Sequence, residues 1–174
     1  MKNKGNAKSL LLCGIFILLC FGCVSPISIP KQSIASLPEY EKKLLDCRII
    51  LGTTEVTVDY VKQNDIAEQI TDIADILLNS EQTNNGTYTF MLDISVRQRS
   101  FLRDIQQRNS IYIIASLKDE DGNIALNQTI NIEGSDSVLS SVNQYKYVKR
   151  ILQNIKNTQR KAAAEKKRYE KTKK

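Results

Sequence analysis

Four thiols, Cys13, Cys20, Cys23 and Cys47, are the side chains best suited to covalent chemistry in this chain, and no histidine accompanies them. Histidine is the usual general base near neutral pH and the commonest transition-metal ligand, so Ser-His-Asp, Cys-His and His-based zinc arrangements cannot be built. Cys23 has the most informative surroundings. Lys2, Lys4 and Lys8 precede an apolar stretch from Leu10 to Phe21, and Gly22 stands directly before Cys23. A basic start, a short apolar run and a small residue at the cleavage point describe an export signal, and the run is too short for a comfortable membrane span of about 20 residues. Residues 1–22 are expected to be a signal peptide cut between Gly22 and Cys23.

The run Leu19-Cys20-Phe21-Gly22-Cys23 resembles the bacterial lipobox, in which a small residue precedes the cysteine that becomes the new N-terminus. Phe21, bulky where the motif usually has a small residue, is similar to the spirochaete form. The resemblance implies a thioether-linked diacylglyceryl group on the Cys23 sulfur and a further acyl chain, such as palmitate, on its amine. Each buried CH₂ contributes about 0.8 kcal/mol, so two or three chains hold where one is marginal. Cys13 and Cys20 each follow a leucine and fit the motif less well. The competing reading makes Cys23 the last residue of an uncleaved signal anchor. Val24 is not the aspartate that favours inner-membrane retention in enteric bacteria. The expected location is thus the bacterial cell envelope, anchored in the outer membrane on its periplasmic face.

The remaining candidates are weighed against plainer roles. Cys47 shares an alternating face with Leu45, Ile49 and Leu51, which reads as a small buried residue of a strand, although an unpaired thiol could also form an intermolecular disulfide. Asp119, Glu120 and Asp121 precede Gly122 but lack the alternating oxygen ligands and closing glutamate of a calcium loop, so they read as a solvated turn. Asp72 and Asp75 are expected to face water. Arg97, Arg99, Arg103 and Arg108 could meet an acidic partner, or could simply be the polar edge of a sheet. The triplets at Asn85 and Asn127 matter only in a glycosylating pathway. No metal or cofactor is implied.

Charge is unevenly distributed. The formal total of +6 divides into +3 before Cys23, −7 from Cys23 to Gln144, and +10 from Tyr145 to Lys174. Lys156, Arg160, Lys161, Lys166, Lys167 and Arg168 could contact anionic headgroups at about 1 kcal/mol each, or form a solvated end. In an exported chain, nucleic acid is not the expected partner.

These residues need a scaffold, and the hydropathy pattern describes one. After the signal about 150 residues remain, enough for one domain with its own core. Residues 23–40, holding all three prolines, are expected to be a tether. Leu44 to Leu51 and Val56 to Val61 read as one kinked strand or two short ones around Gly52. Asn64 and Asp65 open a helix whose Ile66, Ile70, Ile73, Ala74 and Leu77 recur at helical spacing. Tyr88, Phe90, Leu92, Ile94 and Val96 then alternate as a half-buried strand. Phe101 to Asn109 reads as a connection. Ile111 to Leu117 and Ile124 to Ile132 form a strand pair around Asp121-Gly122. A last helix, capped at Ser135 or Asp136, carries Val138, Val142, Tyr145, Val148, Leu152 and Ile155. Its basic continuation is expected to project and fray.

The expected fold class is α+β: a domain over 41–156, with a mostly antiparallel sheet of about four strands, two helices on one face, and a basic helical or disordered tail over 157–174. This order is similar to that of the lipopolysaccharide-assembly lipoproteins. Over Ile66 to Ser80 and the Asp121-Gly122 hairpin it resembles the lipoprotein activators of penicillin-binding proteins. The resemblance covers architecture and implies no functional residue. The leading expectation is a lipid-anchored, non-enzymatic envelope protein that binds another protein as an assembly or accessory subunit. The alternatives are a carrier or sensor of an amphipathic small molecule, and a hydrolase using carboxylates or Cys47.

Overall fold

The computed structural model describes residues 33–36, 38–81, 86–103, 106–134 and 139–172. Their strands are β1 (Ser33–Ser36), β2 (Cys47–Val58), β3 (Val61–Lys62), β4 (Tyr88–Arg103), β5 (Gln106–Lys118) and β6 (Ile124–Gly134). The α-helices are α1 (Glu41–Leu44), α2 (Asn64–Glu81) and α3 (Ser141–Thr172), with a 3₁₀ turn at Pro38–Tyr40 before α1. The strands form one sheet in the order β1-β6-β5-β4-β2-β3.

Alternation decides which face is buried. On β4, Phe90, Leu92, Ile94 and Val96 are buried, and the register carries that face to Ile111, Ile113, Ala115 and Leu117 of β5 and to Leu126, Ile130 and Ile132 of β6. Against it lie Ile70, Ala74 and Leu78 of α2 and Tyr147, Val148, Ile151, Leu152 and Ile155 of α3, in one core cluster. Full burial of such side chains contributes about 1.5–3 kcal/mol each, so this layer holds the domain together. Gln128 is the polar member of the buried face. Its amide donates to the Ile151 carbonyl at 3.3 Å and its oxygen accepts from Asn154 at 3.1 Å, tying β6 to α3.

The sheet is mostly antiparallel, as expected, with four antiparallel pairings, and mixed through one, since β2 runs parallel to β4. Parallel neighbours need a crossover, and α2 supplies it. Strand and helix counts also exceed the expected four and two. The additions β1, β3 and α1 span only two to four residues, too few to show a period. Of these, β1 lies inside the stretch expected as tether, and α1 takes Leu44 from the expected first strand. Phe101–Asn109, expected as a connection, instead continues β4 and begins β5.

At Gly52, β2 carries an irregularity, and the Asp93 carboxylate occupies the space a Cβ would need. That carboxylate accepts the Thr53 N–H at 2.7 Å and meets Lys118 Nζ at 2.7 Å on the face away from the helices. The register of α3 differs from expectation as well. Val142 and Tyr145 are exposed, and Gln144, Tyr147 and Ile151 take the buried positions beside Val148, Leu152 and Ile155. Val138 and the expected cap at Ser135 or Asp136 lie outside the described residues.

Candidate functional site

A groove of about 460 Å³ opens between the start of β2, the end of α2 and the middle of α3. Leu45, Ile49, Leu78, Leu152 and Ile155 give it apolar lining, and Lys156, Arg160 and Ala163 of α3 line it as well. Lys156 and Arg160 are four residues apart, so the helical period brings both cations to one side. Among the described residues no acidic side chain lines the groove.

Cys47 and Gln159 also line it. The Gln159 amide donates to the Leu44 carbonyl at 2.9 Å and to Cys47 Sγ at 3.5 Å, and the thiol donates to the same carbonyl at 3.3 Å. Burial pushes the Cys47 thiol up to about 11, with nearby Asp46 adding to the rise and the Gln159 hydrogen bond opposing it. At neutral pH very little thiolate forms, so the groove is a poor nucleophilic site.

A second feature lies at the other end of the sheet. β2 reaches β4 only as far as Gln98, and β6 reaches β5 only as far as Asn109. The pairs Phe101↔Arg108, Leu102↔Gln107 and Arg103↔Gln106 therefore continue as an arm with no neighbouring strand among the described residues. Leu102 on this arm is 81% exposed. Register puts Arg97, Arg99 and Arg108 on the sheet face away from the helices. Beside the arm's base, Asp59 and Tyr60 adopt φ of 47° and 71° at the β2–β3 turn, a costly conformation for tyrosine. It is held by the Ser100 N–H donating to Asp59 Oδ1 at 2.8 Å and by Arg99 at 5.1 Å over the 79% exposed Tyr60 ring.

The acidic run before Gly122 is committed to its own turn. Asp119 accepts the N–H groups of Asp121 and Asn123 at 3.1 and 2.8 Å, and also the Tyr40 hydroxyl at 2.8 Å. Partial desolvation works to raise the Asp119 carboxyl, but the bonds from Asn123, Tyr40 and Asp121 outweigh it and hold the group below the usual range. Among the described residues no group of three His, Cys, Asp or Glu side chains could hold a metal ion. Asp72 and Asp75 are exposed on α2.

The structure brings Lys156 and Arg160 together with Cys47 and separates them from the rest of the basic set. Lys161, Lys166, Lys167 and Arg168 are exposed, the last three on the end of α3 where every residue from Ala164 to Thr172 faces solvent. Packing extends further along α3 than the apolar stripe suggested, since Ala162 is buried beyond Ile155. Gly22 and Cys23 lie outside the described residues. Among the described residues no helix is long and apolar enough to cross a membrane. Sequence reasoning missed the groove because its wall comes from Leu45–Ile49, Leu78 and Leu152–Ala163; the adjacency of Lys156 and Arg160 to Ile155 was the one local signal.

No protein-family model matches the sequence, and no curated protein does. Among solved structures the chain is similar to a PelC dodecamer from Paraburkholderia phytofirmans, at 12% identity over 71% of this chain and 96% of that one, with a TM-score of 0.41. A leucine-to-methionine variant of the PelC dodecamer from the same organism gives 14% identity over 72% and 98%, with a TM-score of 0.40. Likeness at that level carries no assignment of function.

Proposed function

We propose that this chain is a lipid-anchored cell-envelope protein, attached through Cys23 to the outer membrane on its periplasmic side, that works by binding another protein and not by catalysis. The observation that supports it best is the β4–β5 arm. An arm that projects past its described neighbouring strands, with Leu102 largely bare on one face and Arg97, Arg99 and Arg108 on the other, offers apolar and cationic surface that suits a protein interface. The neutral thiol of Cys47 and the lack of histidine speak against a hydrolase. Two measurements test the reading. Mass spectrometry of the membrane-extracted protein should find a diacyl or triacyl adduct on an N-terminal Cys23, absent from Cys23→Ala; an unmodified chain retaining Met1 would sink the anchor. A photo-crosslinker at position 102 should capture one envelope protein reproducibly, and no adduct there beyond background would sink the interface.

A second reading, a carrier or sensor of an amphipathic small molecule, is favoured by one observation, the groove in which Leu45 and Ile49 meet Lys156 and Arg160.

A further inference from the structure

We infer that, apart from the arm, the projecting basic end of α3 docks on the acidic face of α2 in a second copy of this chain. The charge of the two long helices is segregated by sign. Helix α2 carries Asp65, Glu68, Asp72, Asp75 and Glu81 and no basic residue, whereas α3 carries ten basic residues against Glu165 and Glu170. Asp65, Glu68, Asp72 and Asp75 are exposed, and spacings of three, four and three place them on one side of α2, opposite the buried Ile70 and Ala74. On α3 the exposed pairs Arg160 and Lys167, and Lys161 and Arg168, share the seven-residue spacing of Asp65 and Asp72 and of Glu68 and Asp75. Cations and carboxylates therefore fall into step over two helical turns.

The two surfaces cannot meet within one chain. Gln144 donates to Gln69 at 3.2 Å, and Leu152 and Ile155 share a groove with Leu78, so α2 and α3 run side by side in the same direction. α2 stops at Glu81, while α3 runs on as one helix to Thr172. At about 1.5 Å per residue, Lys167 and Lys171 lie at least 20 Å or so beyond the level of Asp75. That exceeds the Debye length of about 10 Å at 0.1 M salt, and a continuous helix does not turn back on itself. None of Glu68, Asp72, Asp75, Lys167, Arg168 and Lys171 forms an ion pair among the described residues. A second copy brings to each surface the opposite charge that its own chain holds out of reach. Ile76, 68% exposed beside Asp72 and Asp75, adds an apolar contact for the methylene stems of the lysines. Because the two surfaces differ, the contact is head-to-tail.

The test uses the chain from residue 23 with Cys23→Ser, which retains every described element and carries no acyl group, kept reduced so that Cys47 forms no disulfide. Sedimentation velocity at low ionic strength should show a mass that rises with concentration. Salt of about 1 M, with a Debye length of about 3 Å, should weaken the association at least tenfold. The variant Glu68→Lys/Asp72→Lys/Asp75→Lys presents two basic surfaces, and Lys167→Glu/Arg168→Glu/Lys171→Glu presents two acidic ones. Each alone should stay monomeric with a melting temperature near the parent's, since every changed side chain is exposed. An equimolar mixture of the two should associate again. A parent that is monomeric at every concentration, variants that associate as the parent does, or a mixture of folded variants that stays monomeric would each overturn the proposal. So would a monomeric parent held to phosphatidylglycerol vesicles through Lys167, Arg168 and Lys171, which would assign the end of α3 to a lipid surface.

Discussion

The two hairpins that share β5 are built in opposite ways. Between β5 and β6 the loop is specified by its own residues: Asp119 binds the backbone of Asp121 and Asn123, Gly122 takes φ of 82°, and Tyr40 ties the loop to the chain before α1. Between β4 and β5 no described side chain plays Asp119's part. The arm inherits its register from rows further in, where Leu92 faces Leu117, Ile94 faces Ala115 and Val96 faces Ile113, and the backbone ladder simply continues outward. A turn can thus be encoded locally or imposed by a core several residues away.

Breaking the shared core should have the largest effect. Ile113→Ala removes a fully buried side chain from the strand common to both hairpins and should cost about 2–5 kcal/mol, read from urea denaturation. Loss of much less would mean that the hairpins do not depend on one core. Asp119→Ala should act more locally: exchange protection at Gly122 and Asn123 falls, arm amides keep theirs, and the Tyr40 phenol, raised chiefly by its bond to Asp119, titrates closer to its ordinary value. Equal loss of protection in both hairpins would contradict local encoding.

A smaller effect is expected from acid. Partial burial works to raise the Asp93 carboxyl, but Lys118 and the Thr53 N–H outweigh it and hold the group below the usual range. Its folded value is therefore lower than its unfolded one. The stabilisation is complete above the ordinary carboxylate range and disappears as pH falls through the folded value. For a pair so exposed it amounts to about 0.2–1 kcal/mol, and Asp93→Asn should flatten the acid limb of stability against pH by that much. The smallest change belongs to Leu102→Asp, within about 0.5 kcal/mol of the parent in stability because the side chain buries little, yet it should abolish capture by a photo-crosslinker moved to position 100 on the same face of the arm.

How much of this was legible follows the same division. The β5–β6 turn could be read from Asp121-Gly122, and the β4 face from Phe90 to Val96, because local chemistry and a solvent-facing side left a period of two. α2 was equally plain from Ile66, Ile70, Ile73 and Ala74. The arm was not, since outside the cover of the helices nothing requires apolar alternation, and Phe101–Asn109 reads as polar connection. β1 and β3 are too short to show any pattern. On α3, the apolar Val142 and Tyr145 invited a stripe that the core does not use, while Gln144, buried, bonds to Gln69 and the Leu139 carbonyl. The groove was illegible because residues more than 100 positions apart meet only after the sheet and helices have assembled.

The parallel pairing of β2 with β4 has a kinetic consequence. β4, β5 and β6 meet through short connections, whereas Val56 finds Val96 only across the whole of α2 and the loops around it. Closing that long segment is entropically slow, so the meander should be organised in the rate-limiting barrier and β2 should dock afterwards. In stopped-flow chevrons Ile113→Ala should then slow folding, while Val56→Ala should chiefly hasten unfolding. On that order of events, the start of β2 and the wall it gives to the groove beside α2 and α3 would be among the last parts of the molecule to form on each passage to the native state.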